Sequence, residues 1–101
     1  MRTLIVTEFV TLDGVMEAPG GEPSHPHTNW VGDSMGPEAE KYKSDEVFEA
    51  ESLLLGRVTY ESFAGAWPDR EAAGGEDAPF AKQLGDIRKV VVSRQALELT
   101  W

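Results

Sequence analysis

The chain has 101 residues, 41% of them hydrophobic and three of them tryptophan, which suits one domain with material for a core. Eighteen acidic against nine basic side chains leave a net charge of −9, which argues against nucleic acid or an anionic membrane held by bulk electrostatics. There is no cysteine, no apolar stretch of transmembrane length and no basic segment ahead of an apolar one; disulfides and thiolate metal sites are excluded, and a cytoplasmic soluble protein is the expectation.

Arg2–Val10 reads as the first strand. Leu4, Ile5, Val6, Phe9 and Val10 form a near-continuous apolar run that suits a strand buried on both faces. Glu8 then needs a satisfied partner near the strand end. Thr11-Leu12-Asp13-Gly14 follows. Asp13 to Gly36 is a long loop, broken by Pro19, Gly20, Gly21, Pro23, Pro26 and Gly32. A loop of that length in a small domain often serves as a lid or binding loop. His25 and His27 lack a third ligand of clear spacing and read as loop surface, not as a metal site.

Pro37 opens a helix, with Gly36 or Ser34 near the cap and Glu38 and Glu40 favouring its N-terminus. It runs to about Ala50 on a weak apolar stripe of Ala39, Tyr42, Val47 and Phe48. Asp45 and Glu46 lie on this helix. Ser52 to Leu55 is a short buried strand. A second helix runs from Arg57 to about Ala64 and ends at Trp67-Pro68-Asp69. Glu71 to Asp77 is a polar, glycine-rich loop. Pro79 to Leu84 is a short helix stopped by Gly85. Arg88 to Ser93 is the third strand, and Gln95 to Trp101 is a tail that could start another.

The passage Leu53-Leu54-Leu55-Gly56-Arg57-Val58-Thr59 carries the chemistry. A strand that turns into a helix at a glycine leaves free backbone N–H groups at the positive end of the helix dipole, which is a phosphate site. Arg57 adds a planar fork of donors. A plain strand–helix turn with a surface arginine would have the same sequence. A second strand, Lys89–Val92, ends in Ser93-Arg94. In open α/β sheets ligands sit beyond the carboxyl ends of the strands. Two arginines, a serine, a threonine and several N–H groups would then share one rim, enough for a pyrophosphate and a further phosphate. No P-loop, Gly-x-Ser-x-Gly or His-Glu-x-x-His pattern is present.

Thr-Leu-Asp-Gly after a strand, then Leu-Leu-Leu-Gly-Arg-Val-Thr-Tyr-Glu, then Val-Val-Ser-Arg, in that order from Thr3 to Arg94, resembles the dihydrofolate-reductase-like proteins. Within them it is most similar to the reductase domain of the riboflavin-biosynthesis deaminase–reductase. The resemblance implies a single α/β domain over residues 1–101, a three-layer sandwich that is incomplete, with about three strands and two to three helices. Relatives are roughly twice as long, and the expected C-terminal half would insert a strand between this chain's first and second. A partial product, two copies completing one another's sheet, or an altered pairing of three strands would each answer that.

The resemblance also implies NADPH as cofactor and hydride transfer to a small heterocycle, as in a 5-amino-6-(5-phosphoribosylamino)uracil reductase. Gly56, Arg57, Val58, Thr59, Val92, Ser93 and Arg94 would hold the cofactor, with Ser93 and Arg94 at the adenosine ribose phosphate. Asp13 would be the catalytic candidate, and Leu12, Gly14, Trp30 and Glu46 would face substrate. An Asp-Gly turn, a tryptophan anchoring its loop and a solvated helix acid are the structural alternatives. A homodimer is the expected assembly. The rival functions are a non-catalytic nucleotide-binding or partner-dependent truncated module, and an interaction protein working through exposed strand edges.

Overall fold

A computed structural model describes all residues from Met1 to Trp101, which divide into two compact units, Met1–Pro37 and Glu38–Trp101. There are three helices and two strands: α1 Pro37–Glu49, β1 Ser52–Gly56, α2 Arg57–Ala73, α3 Ala78–Asp86 and β2 Arg88–Val92. This is a small α/β arrangement consistent with part of a dihydrofolate-reductase-like fold. No helix is long and apolar enough to cross a membrane.

β1 and β2 pair in parallel, from Ser52 opposite Arg88 to Gly56 opposite Val92. Parallel neighbours need a crossover, and the α2–α3 pair supplies it. Both strands alternate: Leu53, Leu55, Lys89 and Val91 are half-buried, whereas Leu54, Val90 and Val92 are exposed. The β1 strand is therefore covered on one face only, not buried throughout. α2 packs on α3 and on both strands, while α1 packs on none of these four elements and has no buried residue.

Tyr60, Ala81, Leu84 and Ile87 form the buried centre of this unit. Around them the rings of Phe63, Trp67 and Phe80 meet edge to face, with 5.1 Å between the Trp67 and Phe80 centroids. Edge-to-face pairs place a positive ring edge on a negative ring face. The tail forms no strand. It folds back so that the Tyr60 hydroxyl donates to the Trp101 carbonyl at 3.1 Å and accepts the Trp101 N–H at 2.9 Å. Lys89 Nζ lies 4.1 Å from the Trp101 ring centroid and donates to the carbonyls of Gly85 and Ile87 at 2.8 and 3.2 Å.

Three further expectations are corrected. Arg2–Val10 forms no strand; Leu4, Ile5 and Val6 are 74%, 71% and 86% exposed, and Glu8 is exposed too. A strand exists only with a partner for its N–H and C=O groups, and the sheet consists of β1 and β2 alone. The second helix does not end at Trp67-Pro68-Asp69 but runs to Ala73. Pro68 removes one helical donor, yet continuing the helix brings Arg70 to 4.7 Å from the Trp67 ring centroid. Gly74 is the actual stop: its φ of 69° is left-handed, and its N–H returns to the Glu71 carbonyl. Finally, α3 passes through Gly85 and ends at Asp86, and the Ile87 N–H closes its last turn on the Gln83 carbonyl.

The unit Met1–Pro37 contains no regular element before the first residue of α1, and hydrogen bonds hold its turns. The Asn29 N–H donates to the Ala18 carbonyl at 3.0 Å, the Val31 N–H to the Pro19 carbonyl at 3.1 Å and the Trp30 indole to the Glu17 carbonyl at 2.9 Å. These close the long loop at its neck around buried Ala18. Ala18 and Asn29 both have left-handed backbones, at φ 51° and 63°. Asn accepts that conformation readily, and Ala does so at a cost.

Tyr60→Phe is expected to lower stability by about 1–3 kcal/mol, because it removes both bonds to Trp101 and leaves their partners unpaired; a urea melt without such a loss would show that the tail is not fixed there.

Burial lowers the pKa of Lys89 below the ordinary 10.5, with Asp86 opposing in part. In the window just below 10.5 the unfolded chain then holds more protons, so this residue's contribution to stability improves as pH rises. Melts from about pH 8 to 10.5 should show the wild type gaining on Lys89→Met across that window.

Candidate functional site

The register of the sheet builds the site. Gly56 and Val92 are paired, so the two strands finish level and the chain leaves both at the same edge. From β1 it enters α2 at once. From β2 it continues into Ser93-Arg94-Gln95. Gly56, Arg57, Val58, Thr59, Val92, Ser93, Arg94 and Gln95 line an open cleft of about 550 Å³ between these two exits. Its volume lies within the range of small-molecule sites, about 300–1,000 Å³.

One wall is the start of α2. Gly56 is its N-cap, in extended conformation with φ −76° and ψ 162°, and no side chain caps the helix. The amides of the first turn are therefore not capped from within, and no acidic residue occupies that turn. A methyl group added at Gly56 would meet no atom within 4 Å, so the backbone is open to close approach. The Thr59 side chain is exposed. Arg57 Nη1 donates to Glu61 Oε2 at 2.8 Å, one helical turn on, with the two side chains 38% and 51% exposed.

The other wall is the exit of β2. Ser93 Oγ accepts the Gln95 N–H at 3.1 Å, which bends the chain and leaves the hydroxyl proton free to donate. Arg94 is exposed and forms none of the five ion pairs, which belong to Lys41, Lys43, Arg57, Arg70 and Lys82. The cleft thus combines two guanidinium groups, two hydroxyls and uncapped amides, and it contains no carboxylate, imidazole or lysine. Such a donor set can hold an anion with several phosphoryl oxygens. It fits a phosphorylated cofactor, and none of its lining side chains is a carboxylate, imidazole or amine that would exchange a proton near neutral pH.

All seven residues expected to hold the cofactor line this cleft. Of the residues expected to face substrate, Glu46 does not line the cleft, and Leu12, Asp13, Gly14 and Trp30 belong to the unit Met1–Pro37. Leu12, Asp13 and Gly14 form a tight turn in the other unit. There the Gly14 N–H donates to the Thr11 carbonyl at 3.0 Å, Gly14 has φ 91°, and the Thr11 hydroxyl donates to Asp13. Trp30 is half-buried and anchors its loop through Glu17. Glu46 lies on α1, 3.4 Å from Lys43. His25 and His27 lie in an exposed turn with their rings tilted by 40° and 5.6 Å between centroids, and no group of three or more metal-ligating side chains exists in the chain. Sequence reading missed Gln95 and Glu61. Glu61 was legible, because an acid four residues after Arg57 on a helix is its natural partner. Gln95 carries no signal of its own.

Comparison with curated proteins found no match, and neither did comparison with solved structures. The family model described as the RibD C-terminal domain matches residues 2–100. With that span, and with the glycine–arginine turn and the Ser93-Arg94 exit on one rim, the chain belongs to the RibD C-terminal domain family, the riboflavin-biosynthesis reductase group of the dihydrofolate-reductase-like superfamily.

Proposed function

We propose that the chain binds NADPH and serves a reductase that passes hydride to a small heterocycle, in the manner of a 5-amino-6-(5-phosphoribosylamino)uracil reductase. The supporting observation is the cleft at the strand exits, whose cationic and N–H donors suit a polyphosphate on a chain of net charge −9. NADPH, when bound, supplies the hydride from its reduced nicotinamide.

The chain's own residues bind and orient. The first-turn amides of α2, Arg57 and Thr59 would hold the pyrophosphate, with Gly56 allowing close approach. Arg94 and Ser93 would take the ribose phosphate, whose two negative charges favour a guanidinium over a neutral partner. Val58 and Val92 would contribute the apolar part of the lining.

A second reading is a nucleotide-binding module without turnover. The absence of any proton-moving group among the cleft residues favours it. NADPH oxidation in the presence of a pyrimidine acceptor separates the two. A homodimer belongs to the proposal as well; the exposed run Leu4-Ile5-Val6 and the uncovered sheet residues Leu54, Val90 and Val92 support a second copy in the working assembly.

Excess NADPH is expected to raise the melting midpoint, by about 2.7 kcal/mol of stabilisation at a hundredfold excess over Kd, and NADH to raise it less. Arg94→Ala should cut the NADPH effect to that of NADH, a loss of about 1–3 kcal/mol of binding. A midpoint indifferent to both nucleotides would overturn the assignment.

Gly56→Asp separates folding from binding. Aspartate is a favoured N-cap, so stability should hold or rise by a few tenths of a kcal/mol. Its carboxylate would occupy the α2 amides and repel phosphate, so NADPH affinity should fall at least about tenfold by calorimetric titration. Unchanged affinity would exclude these amides from the site.

A further inference from the structure

The cleft's two arginines are not equivalent. Arg94 has no acidic partner, whereas Arg57 is held by Glu61. Glu61 does not line the cleft. Its carboxylate reaches the cleft through the guanidinium alone, by a single N–H from Nη1 at 2.8 Å. We infer that Glu61 is an exchangeable counter-ion for Arg57, which competes with an incoming phosphate for the guanidinium and thereby lowers the affinity of the site. This rests on the reading of the cleft as a phosphate site.

The physical case is a comparison of two bonds. An exposed ion pair one turn apart on a helix contributes little, because water screens both groups and two long side chains must be held in one geometry. Both partners here are more than a third exposed. A phosphoryl group meets the same guanidinium with more charge, with a fork that can accept two N–H groups at once, and with the α2 amides alongside. The phosphate therefore wins the exchange. Until it arrives, Glu61 neutralises Arg57, so weak anions such as chloride or free carboxylates find no bare cation there. Arg94 stays unpaired and makes the first long-range attraction, and Arg57 is recruited only at close range. Glu61 is a positioning residue: it acts on ligand only through Arg57.

The test is a double-mutant cycle on the full chain. NADPH and inorganic pyrophosphate are each titrated into the wild type, Glu61→Gln, Arg57→Ala and the double variant, with thermal melts to show that each folds. Glu61→Gln keeps the shape of the side chain and removes its charge. It should raise affinity for both ligands about three- to tenfold, and Arg57→Ala should lower it. The gain from Glu61→Gln should vanish once Arg57 is alanine. Glu61→Asp, which keeps the charge, should not reproduce the gain.

An unchanged or weaker Glu61→Gln, with Arg57→Ala still weakening binding, would overturn the counter-ion role and leave the phosphate site standing. A gain that persists without Arg57 would also overturn it, since Glu61 would then act as a general negative charge. Failure of all four proteins to bind either ligand would overturn the site and this inference together. Binding by Glu61→Gln where the wild type shows none would support it.

Discussion

The structure depends on the parallel register of β1 and β2. Because Gly56 lies opposite Val92, the strands end level, and the segments that follow must emerge side by side. Parallel pairing also forces the chain to cross from the end of one strand to the start of the next. Here α2 and α3 make that crossing, and their packing supplies the apolar contacts that a two-stranded sheet cannot provide alone. The cleft is a consequence of this register. A slip by one residue would stagger the exits and turn every inward side chain outward.

That dependence explains which parts of the fold were legible in the sequence. Ser52–Gly56 and Arg88–Val92 announce themselves through apolar, β-branched composition and the glycine and serine that end them. The functional expectation for Arg57 and Arg94 follows from placing two such ends together. The parts that were not legible are those where one local signal opposes another. Pro68 argues for a helix end, but the pairing of Trp67 with Phe80 and Arg70 sits on either side of it, and Gly74 offers a better stop further along the chain. Arg2–Val10 has strand composition throughout, yet composition does not supply a neighbouring strand. β-propensity describes how well a residue fits a sheet that already exists.

The candidate site divides along the same line. Its cleft-lining half is written in contiguous motifs on one rim, so the residues that share that rim could be read one by one. Its substrate-facing half was expected from Asp13, Trp30 and Glu46, whose side chains are engaged locally with Thr11, the Glu17 carbonyl and Lys43. Each of those local partners lies within thirteen residues in sequence. Sequence motifs of one or two residues cannot distinguish such a local engagement from a contact across a cleft. The two-strand rim, by contrast, comes from a pairing constraint that leaves no local alternative.

The return of Trp101 to Tyr60 has a mechanical meaning. Both bonds join residues 41 apart in sequence, and Tyr60 follows directly on Thr59 of one cleft wall. The chain from Tyr60 through α3 and β2 to Trp101 is thus a closed ring, with the second wall, Ser93 to Gln95, built into its circumference. A ring resists having two of its points pulled apart far more than an open chain does, because its ends have already given up their freedom. Any molecule that wedges the walls of the cleft therefore loads the hydroxyl buckle at Tyr60. The aromatic cluster of Tyr60, Phe63 and Trp101 then carries part of that load to the centre of the unit.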